Sequence, residues 1–212
     1  MAFGIIRVKN LHIEDLAHTQ KHNNREFAPN EFPDNIKKNG TYSHDVNYES
    51  HSEKTIQDAV MERIEGIHRR KNSVVALEYV CAISEEAMKK ALDHYSILPI
   101  LDFFRRFVED KHGIENVVSF SYHEDESNPH IHVVVVPLAE KITKWKNAKG
   151  HGEKAEKRLC ATDFTGDKEK LRQLQTDYFN YITTGNDRMS RLWKEAGIEF
   201  RRGDIFILAY LF

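Results

Sequence analysis

A short stretch between residues 123 and 132 concentrates side chains that could bind a metal ion. It reads His-Glu-Asp-Glu-Ser-Asn-Pro-His-Ile-His. Residues i and i+2 of an extended strand point to the same face, so the imidazoles of His130 and His132 can reach one cation. His123 precedes a turn indicated by the Ser-Asn-Pro sequence, so it can fold back beside them. Three imidazoles suit Zn, Mn, Fe, Co or Ni better than Mg or Ca, and they leave coordination positions open for a substrate.

The same histidines also have an ordinary interpretation. A single His-x-His pair is often two solvent-facing residues on an edge strand, because histidine is commonly half-buried without binding a ligand. A third histidine, His123, and the carboxylates of Glu124, Asp125 and Glu126 favour a metal site over this ordinary interpretation. The cluster is therefore predicted to be a metal site.

The composition indicates one domain of an intracellular protein. The chain has 212 residues and two cysteines, Cys81 and Cys160, which form no Cys-x-x-Cys motif. This usage fits structural thiols in a reducing cytoplasm. We expect no signal peptide, since Arg7 and Lys9 interrupt the first apolar residues, and no membrane span, since no segment approaches about 20 apolar residues. A formal net charge of −2 argues against binding polyanions with the whole surface.

Basic residues are concentrated between Lys141 and Arg158, with Trp145, Gly150 and Gly152 among them. The basic residues of this segment are Lys141, Lys144, Lys146, Lys149, Lys154, Lys157 and Arg158. The segment is predicted to be a flexible loop that follows a phosphate backbone and stacks an aromatic ring on a base. A merely solvated loop explains the residues equally well.

Hydrophobic periodicity gives a coarse order of elements. Strands are predicted over 3–8, 74–83, 117–122 and 131–137, and helices from about residue 13, over 56–67, 85–94, 98–112, 167–183 and 189–196. Residues 28–54 are rich in Pro, Asn, Asp, Gly and Ser and are predicted to be irregular. The two strands around the acidic turn are expected to form a hairpin, and 198–201 could close the sheet. The order favours an α+β architecture, a mixed antiparallel sheet with helices on one side.

Two segments resemble the motifs of the MobV branch of plasmid mobilisation relaxases, the Mob/Pre family. That family carries H-x-D-E-x-x-P-H-x-H after an early H-N-x-R, and residues 123–132 and His22-Asn23-Asn24-Arg25 match these motifs. Ser43-His44, Asn47-Tyr48-Glu49 and the stretch 158–164 extend the likeness. The resemblance covers residues 1 to about 203 as a catalytic domain, and it leaves the apolar tail, 204–212, without an assigned role. It implies an HUH-type fold, in which the histidine pair lies on a central strand of a five-stranded antiparallel sheet.

The resemblance also implies an activity. It is nicking of plasmid DNA at one site on one strand of an origin of transfer, with covalent attachment to the 5′ phosphate and later rejoining. His123, His130 and His132 would hold a divalent metal, Mn in the first place, with Mg, Zn, Co and Ni as alternatives. The partner would be single-stranded or hairpin origin DNA, and host conjugation machinery could act with it in the cytoplasm.

In the MobV branch the nucleophile is a histidine, and His22 falls on that position. A ring with an ordinary pKa near 6.5 is mostly neutral at neutral pH, and its attack would give a phosphoramidate. Glu126 is expected to orient His22 and accept its proton. Asp125 is the alternative base or a support for a metal-bound imidazole. Arg25, three residues after His22, would lie on the same helical face and pair with the phosphate or with a surface carboxylate.

The predicted DNA contacts extend beyond this cluster. They are Lys21, Arg25, His44, Asn47, Lys144, Trp145, Lys146, Lys149 and Arg158. Tyr42 and Tyr48 remain alternative nucleophiles, although each could be an ordinary loop aromatic.

Two other functions use part of the same pattern. A rolling-circle replication initiator would place a tyrosine on a later helix, where Tyr178 and Tyr181 occur, but their apolar helix face is explained by core packing. A non-catalytic DNA-binding module would hold a structural metal, yet such sites usually close with four protein ligands, often cysteines, and neither cysteine is near the cluster. A hydrolase with an H-x-H-x-H motif is excluded because Val134 occupies the third position.

Overall fold

The computed structural model describes residues 2–27, 42–46, 54–147, 150–185 and 187–201; for 42–46 it describes the backbone. The strands are β1 (Gly4–Leu11), β2 (Tyr42–Val46), β3 (Ala76–Ile83), β4 (Val117–His123), β5 (His130–Val135), β6 (Leu138–Asn147) and β7 (Gly150–Leu159). The helices are α1 (Ile13–Asn23), α2 (Ile56–Arg63), α3 (Glu85–Leu92), α4 (Ile97–His112), α5 (Ala161–Thr165), α6 (Lys168–Thr184) and α7 (Asp187–Glu195). A 3-10 turn, Ile114–Asn116, precedes β4.

The main sheet has five strands in the order β1-β3-β5-β4-β2. Every pairing in it is antiparallel. The α+β class, the five-stranded antiparallel sheet and the hairpin of β4 and β5 are thus confirmed. The strand that carries His130 and His132 is the central one, as the resemblance implies.

The central strand β5 is buried on both faces. Its odd-numbered residues Ile131, Val133 and Val135 pack into one core, whereas Val134 belongs to a second core. His132 has the same parity as Val134 and therefore points to that second face. A near-continuous apolar run is typical of a strand that is covered on both sides.

Helices cover both faces of the sheet, so the prediction of helices on one side is wrong. The first core is closed by α3, α4, α6 and α7, with Phe104 and Tyr178 among its fully buried side chains. The second core is closed by α1 and α2, through Leu16, Ile56 and Val60. Each of these helices buries one apolar stripe, and the period alone does not reveal which sheet face receives it.

Helix α1 matters most for the site because its last turn carries His22. Its start is fixed by Asp15, whose carboxylate accepts a hydrogen bond of 2.8 Å from the backbone N–H of His12. Leu16 and Thr19 are buried against the sheet, and Asn23, the last residue of the helix, is fully buried. The helix therefore delivers its C-terminal residues to the second face of the sheet.

The basic segment is a second sheet and not a flexible loop. Strands β6 and β7 pair in register from Leu138 opposite Leu159 to Asn147 opposite Gly150, forming a two-stranded ribbon. Lys144 lies opposite Glu153 and forms a 2.9 Å ion pair with it. Gly152 leaves room for the ring of its cross-strand partner Trp145, since a Cβ there would lie 2.9 Å from a ring carbon. Charged cross-strand pairs stabilise this ribbon without an apolar face, so hydropathy gave no strand signal.

Three further predictions concern the edges of the fold. Strand β2 lies within 28–54, which was predicted to be irregular. Residues 198–201 do not add a strand to the sheet; one parallel bridge joins Phe200 to Ala2. The tail, 204–212, lies outside the described residues. Among the described helices, none is long and apolar enough to cross a membrane.

The docking of α1 can be tested by truncating Leu16. Leu16→Ala should lower the free energy of unfolding by about 2–5 kcal/mol, because it removes a fully buried side chain and leaves a cavity. Leu98→Ala on α4 is the matched control, since Leu98 is 57% exposed. Urea titrations of both variants measure the difference, and equal midpoints would contradict the packing of α1 described above.

Candidate active site

Three histidine rings meet where the central hairpin opens. His123 at the end of β4 pairs directly with His130 at the start of β5, and His132 follows two residues later. The ring centroids lie 5.2 Å apart for His123 and His130, 4.7 Å for His123 and His132, and 4.9 Å for His130 and His132. The hairpin register thus brings together the three predicted metal ligands.

Each of the three rings has an inward nitrogen, which faces the other rings, and an outward nitrogen, which faces away from them. Each outward nitrogen lies within hydrogen-bond distance of an oxygen atom. His130 Nδ1 lies 2.8 Å from the carbonyl oxygen of Asn128, and His123 Nε2 lies 3.0 Å from that of Asn23. His132 Nδ1 lies 3.0 Å from Glu78 Oε1. Carbonyl and carboxylate oxygens accept hydrogen bonds and cannot donate them, so each outward nitrogen carries a proton. In the neutral form of each ring, the inward nitrogen is therefore the unprotonated one.

The inward nitrogens have no proton to share. His130 Nε2 lies 3.0 Å from His132 Nε2, and His123 Nδ1 is buried without a hydrogen-bond partner in the described part of the chain. Burial lowers the pKa of His132 to about 4 and also lowers the pKa of His130, so protonation does not relieve this contact near neutral pH. Three converging lone pairs on neutral imidazoles fit a divalent metal ion.

His22 lies beside this cluster without the same degree of burial. Its ring centroid is 5.2 Å from that of His132 and 5.6 Å from that of His123, and its side chain is 34% exposed. Burial, together with the positive charge of Arg25, lowers the pKa of His22 to about 4. The ring is therefore neutral at neutral pH and partly accessible. Such a ring can attack a phosphate or bind a metal ion.

Arg25 does not lie on the helical face predicted for it, because α1 ends before it. Arg25 adopts φ 57°, in the left-handed region that is uncommon outside glycine. Its Nε and Nη2 donate to the two oxygens of Asp125 at 2.7 and 2.6 Å, and Nη2 also donates to Glu126 at 2.8 Å. Its Nη1 donates to the backbone carbonyl of His22 at 3.0 Å. The buried guanidinium therefore holds the two carboxylates and the end of α1, and its described bonds would have to break before it paired with phosphate.

Glu126 lies between the two kinds of histidine. Its Oε1 is 3.9 Å from His22 Nε2, 3.7 Å from His123 Nδ1 and 3.8 Å from His130 Nε2. Burial would raise the pKa of this carboxyl, but the charged hydrogen bond from Arg25 lowers it below its usual range, so it is ionised. These distances exceed a direct hydrogen bond, and one water molecule could bridge Glu126 and His22. The described bonds of Asp125, by contrast, are with Arg25.

Sequence reasoning missed the roles of Glu78 and Asn23. Glu78 Oε1 accepts from His132 Nδ1 and also, at 3.0 Å, from the side chain of Asn23. Both residues are buried. A single carboxylate within the apolar run of β3 was a usable signal, because a charged residue is seldom buried without a partner.

The predicted DNA-binding residues lie in several places. Lys21 is on α1, with its ammonium 5.9 Å from the ring centroid of Phe27. The ribbon carries Trp145 and Arg158 on one face and Lys144 and Lys146 on the other, as the strand register requires. His44 is in β2 opposite Ser121, and its side chain is outside the described residues, as are Asn47, Tyr48 and Lys149. None of the described ribbon residues belongs to the histidine cluster.

The tyrosines on α6 are core residues. Tyr178 donates its hydroxyl to the Ala82 carbonyl at 3.0 Å, and Tyr181 donates to that of Phe103 at 3.1 Å. Both pack with the first core, on the opposite face of the sheet from His132. Burial raises the pKa of Tyr181 to about 12 and that of Tyr178 further. Neither hydroxyl can serve the histidine cluster as a nucleophile.

Solved structures share this fold. The MobM relaxase domain, bound to plasmid pMV158 oriT DNA and to Mn, matches with a TM-score of 0.59 at 18% identity, covering 96% of this chain and 91% of that chain. Another structure of that domain, bound to 26-nucleotide oriT DNA, matches with a TM-score of 0.56 at 22% identity, covering 99% of this chain and 95% of that chain.

Two curated proteins are similar to this chain in sequence. A plasmid recombination enzyme of Streptococcus agalactiae is 26% identical over 213 residues, covering 97% of this chain and 36% of the relative. One from Bacillus thuringiensis is 28% identical over 144 residues, covering 65% of this chain and 31% of the relative. The chain thus spans about a third of the length of these relatives. The family profile described as plasmid recombination enzyme matches residues 1–204, and the chain therefore belongs to that family, Mob/Pre.

Proposed function

We propose that residues 1–203 form the DNA-nicking domain of a plasmid relaxase that uses His22 as its nucleophile. One observation carries the proposal: a neutral, partly exposed imidazole lies beside three histidines whose unprotonated nitrogens converge on one point. The name of the MobM structures, which are bound to oriT DNA and Mn, supports origin DNA as the substrate class. Family membership supports the same activity.

The reaction begins with attack of the unprotonated nitrogen of His22 on the scissile phosphorus. A nitrogen–phosphorus bond forms, the bond from phosphorus to the 3′ oxygen breaks, and that oxygen takes a proton from water and leaves as the 3′ hydroxyl of the nicked strand. The other ring nitrogen releases its proton, for which Glu126 is the proposed acceptor through one water molecule. The product is a 5′ phosphoramidate on His22. Attack of a 3′ hydroxyl on the same phosphorus reverses these steps and rejoins the strand.

The proposed metal ligands are His123 Nδ1, His130 Nε2 and His132 Nε2. A divalent ion, Mn by analogy with the MobM structures, would polarise the scissile phosphate and offset the charge that develops on its oxygens. Glu126 is close enough to His123 and His130 to join the ligands. Arg25 keeps Glu126 and Asp125 in place, which is a positioning role.

A structural metal site is the second candidate. His22 also groups with His123 and His132 as a possible ligand set. If His22 closed the coordination shell, the chain would be a DNA-binding module without a nucleophile at this position. The Mn affinity of a variant that lacks His22 distinguishes the two functions. The affinity is kept if His22 is the nucleophile and is lost if His22 is a ligand.

Substitution of His22 tests the nucleophile. His22→Ala should keep Mn binding and DNA binding but lower nicking of supercoiled plasmid by about 10⁴-fold or more, because it removes the group that is proposed to form the covalent bond. Denaturing gels of reactions with a plasmid carrying the cognate origin measure the adduct, which should be labile to acid in the wild type. Tyr42→Phe is the control and should keep the adduct. Loss of Mn binding in His22→Ala would instead identify His22 as a ligand.

Substitution of His130 tests the metal centre. His130→Ala should lower Mn affinity by about 100-fold or more, beyond the 10- to 100-fold usual for loss of a supporting hydrogen bond, and nicking should fall with it. Calorimetric titration of the metal-free protein with Mn gives the affinity. His151→Ala on β7 is the matched control, since its side chain lies outside the cluster. Unchanged Mn affinity in His130→Ala would exclude the proposed ligand set.

The ribbon is the proposed arm that follows the DNA backbone. The major groove of a DNA duplex admits a two-stranded β-ribbon. Because Lys146 and Arg158 lie on opposite faces, replacing each in turn by alanine identifies the face that meets the DNA. On the face that binds, the substitution should reduce the slope of log affinity against log salt by about one for each phosphate that is no longer neutralised. Lys90→Ala on α3 is the control, and slopes unchanged by both ribbon variants would remove the ribbon from the DNA interface.

A further inference from the structure

Asn23 occupies a position that no predicted role explains. It is the last residue of α1, follows His22 directly, and is fully buried. Its backbone carbonyl accepts from His123 Nε2 at 3.0 Å, and its side-chain Nδ2 donates to Glu78 Oε1 at 3.0 Å. One residue therefore contacts a metal-site ring directly and reaches a second one through a carboxylate.

Glu78 completes this connection from the neighbouring strand. Its Oε1 also accepts from His132 Nδ1 at 3.0 Å, so one oxygen binds both the end of α1 and a ring on β5. The Asn23 amide cannot be reversed, because its oxygen would then face the Glu78 carboxylate and repel it. The directions of both hydrogen bonds to Glu78, one from Asn23 and one from His132, are thereby fixed.

We propose that Asn23 and Glu78 act as positioning residues that couple the metal centre to His22. The two bonds of Asn23 hold the end of α1 against His123 and His132, so the orientation of those rings and the placement of the neighbouring His22 depend on each other. Glu78 fixes the His132 tautomer that leaves Nε2 free for the metal. The inference rests on the metal centre of the proposed function.

The geometry distinguishes this role from ordinary packing of α1. Thr19 is one turn earlier on the same helix face and is also buried, but its hydroxyl has no hydrogen-bond partner in the described residues. Removing the Thr19 hydroxyl and methyl group therefore disturbs the same interface without touching a metal-site ring. Any effect of Asn23 on metal affinity beyond that of Thr19 must come from its hydrogen bonds.

Mn affinity of the metal-free protein is the first measurement. Asn23→Ala should weaken Mn binding by about 3- to 10-fold and Glu78→Leu by about 10- to 100-fold, while Thr19→Ala leaves it unchanged. The double variant Asn23→Ala/Glu78→Leu should bind about as weakly as Glu78→Leu alone, because the Asn23 side chain acts through Glu78. Glu78→Gln keeps an acceptor for His132 and should lie between Glu78→Leu and the wild type. If Asn23→Ala does not fold, Asn23→Leu removes the same donor with an uncharged side chain that branches at the same carbon.

Two further readouts separate positioning from stability. Long-range ¹⁵N–¹H spectra of the histidine rings in the metal-free protein should show His132 protonated at Nδ1 in the wild type and a tautomer mixture in Glu78→Leu. At saturating Mn, Asn23→Ala should still nick more slowly than Thr19→Ala, because His22 has lost its fixed placement.

The outcomes separate the two proposals. Mn affinity of Asn23→Ala equal to that of Thr19→Ala, or independent effects of Asn23 and Glu78 in the double variant, would overturn the coupling while leaving the metal centre intact. A wild-type protein that binds no Mn would overturn both.

Discussion

The convergence of three unprotonated histidine nitrogens is the constraint on which the rest of the site depends. His130 Nε2 and His132 Nε2 lie 3.0 Å apart with no proton between them, and His123 Nδ1 is buried beside them without a partner in the described part of the chain. Lone pairs in a protein interior are unfavourable when nothing neutralises them. A cation at their meeting point would convert this repulsion into coordination. The register of the central hairpin places His123 directly opposite His130, which brings these two rings side by side.

The surrounding charges fit the same conclusion. Glu78, Asp125 and Glu126 bring three carboxylates to the site, and Arg25 supplies one guanidinium that binds two of them. Two negative charges then remain for a divalent ion to balance. The left-handed conformation of Arg25 turns the chain at the end of α1 so that this guanidinium reaches the acidic turn between β4 and β5. Strain of this kind persists only where surrounding bonds hold it, as the ion pairs with Asp125 and Glu126 do here.

The sequence predicts the parts of the fold that have strong periodicity. The apolar run of β5, the hairpin around the acidic turn and the helices with one apolar stripe all follow from local pattern. The ribbon of β6 and β7 does not, because its strands are stabilised by pairs such as Lys144 with Glu153 and by Trp145 lying over Gly152. Strand β2 is likewise not predicted, because it lies in a polar segment and its partner β4 lies more than 70 residues away in the chain.

The residues of the site also differ in whether a local sequence pattern predicts them. The spacing of His130 and His132 on one strand face is a local property, so the pattern alone predicts their pairing.

Glu78 and Asn23 are far apart in sequence, and their shared contact depends on how α1 docks on β3. Arg25 is part of a visible motif, but helical spacing gave it the wrong position, because the helix ends at Asn23. Tertiary packing therefore decides the supporting contacts, while sequence spacing decides the ligands.

The two faces of the sheet also explain why the reactive group proposed for this site is an imidazole. The tyrosines of α6 lie in the first core, where their hydroxyls bind backbone carbonyls and their pKa values are raised by burial. A phenol needs a lowered pKa to act as a nucleophile at neutral pH, and that environment does the opposite. On the second face, burial and a nearby guanidinium favour the neutral form of His22, which is the nucleophilic form of an imidazole. Burial therefore disfavours the ionised form of a phenol and favours the neutral form of an imidazole, and α1 places His22 next to the three converging rings.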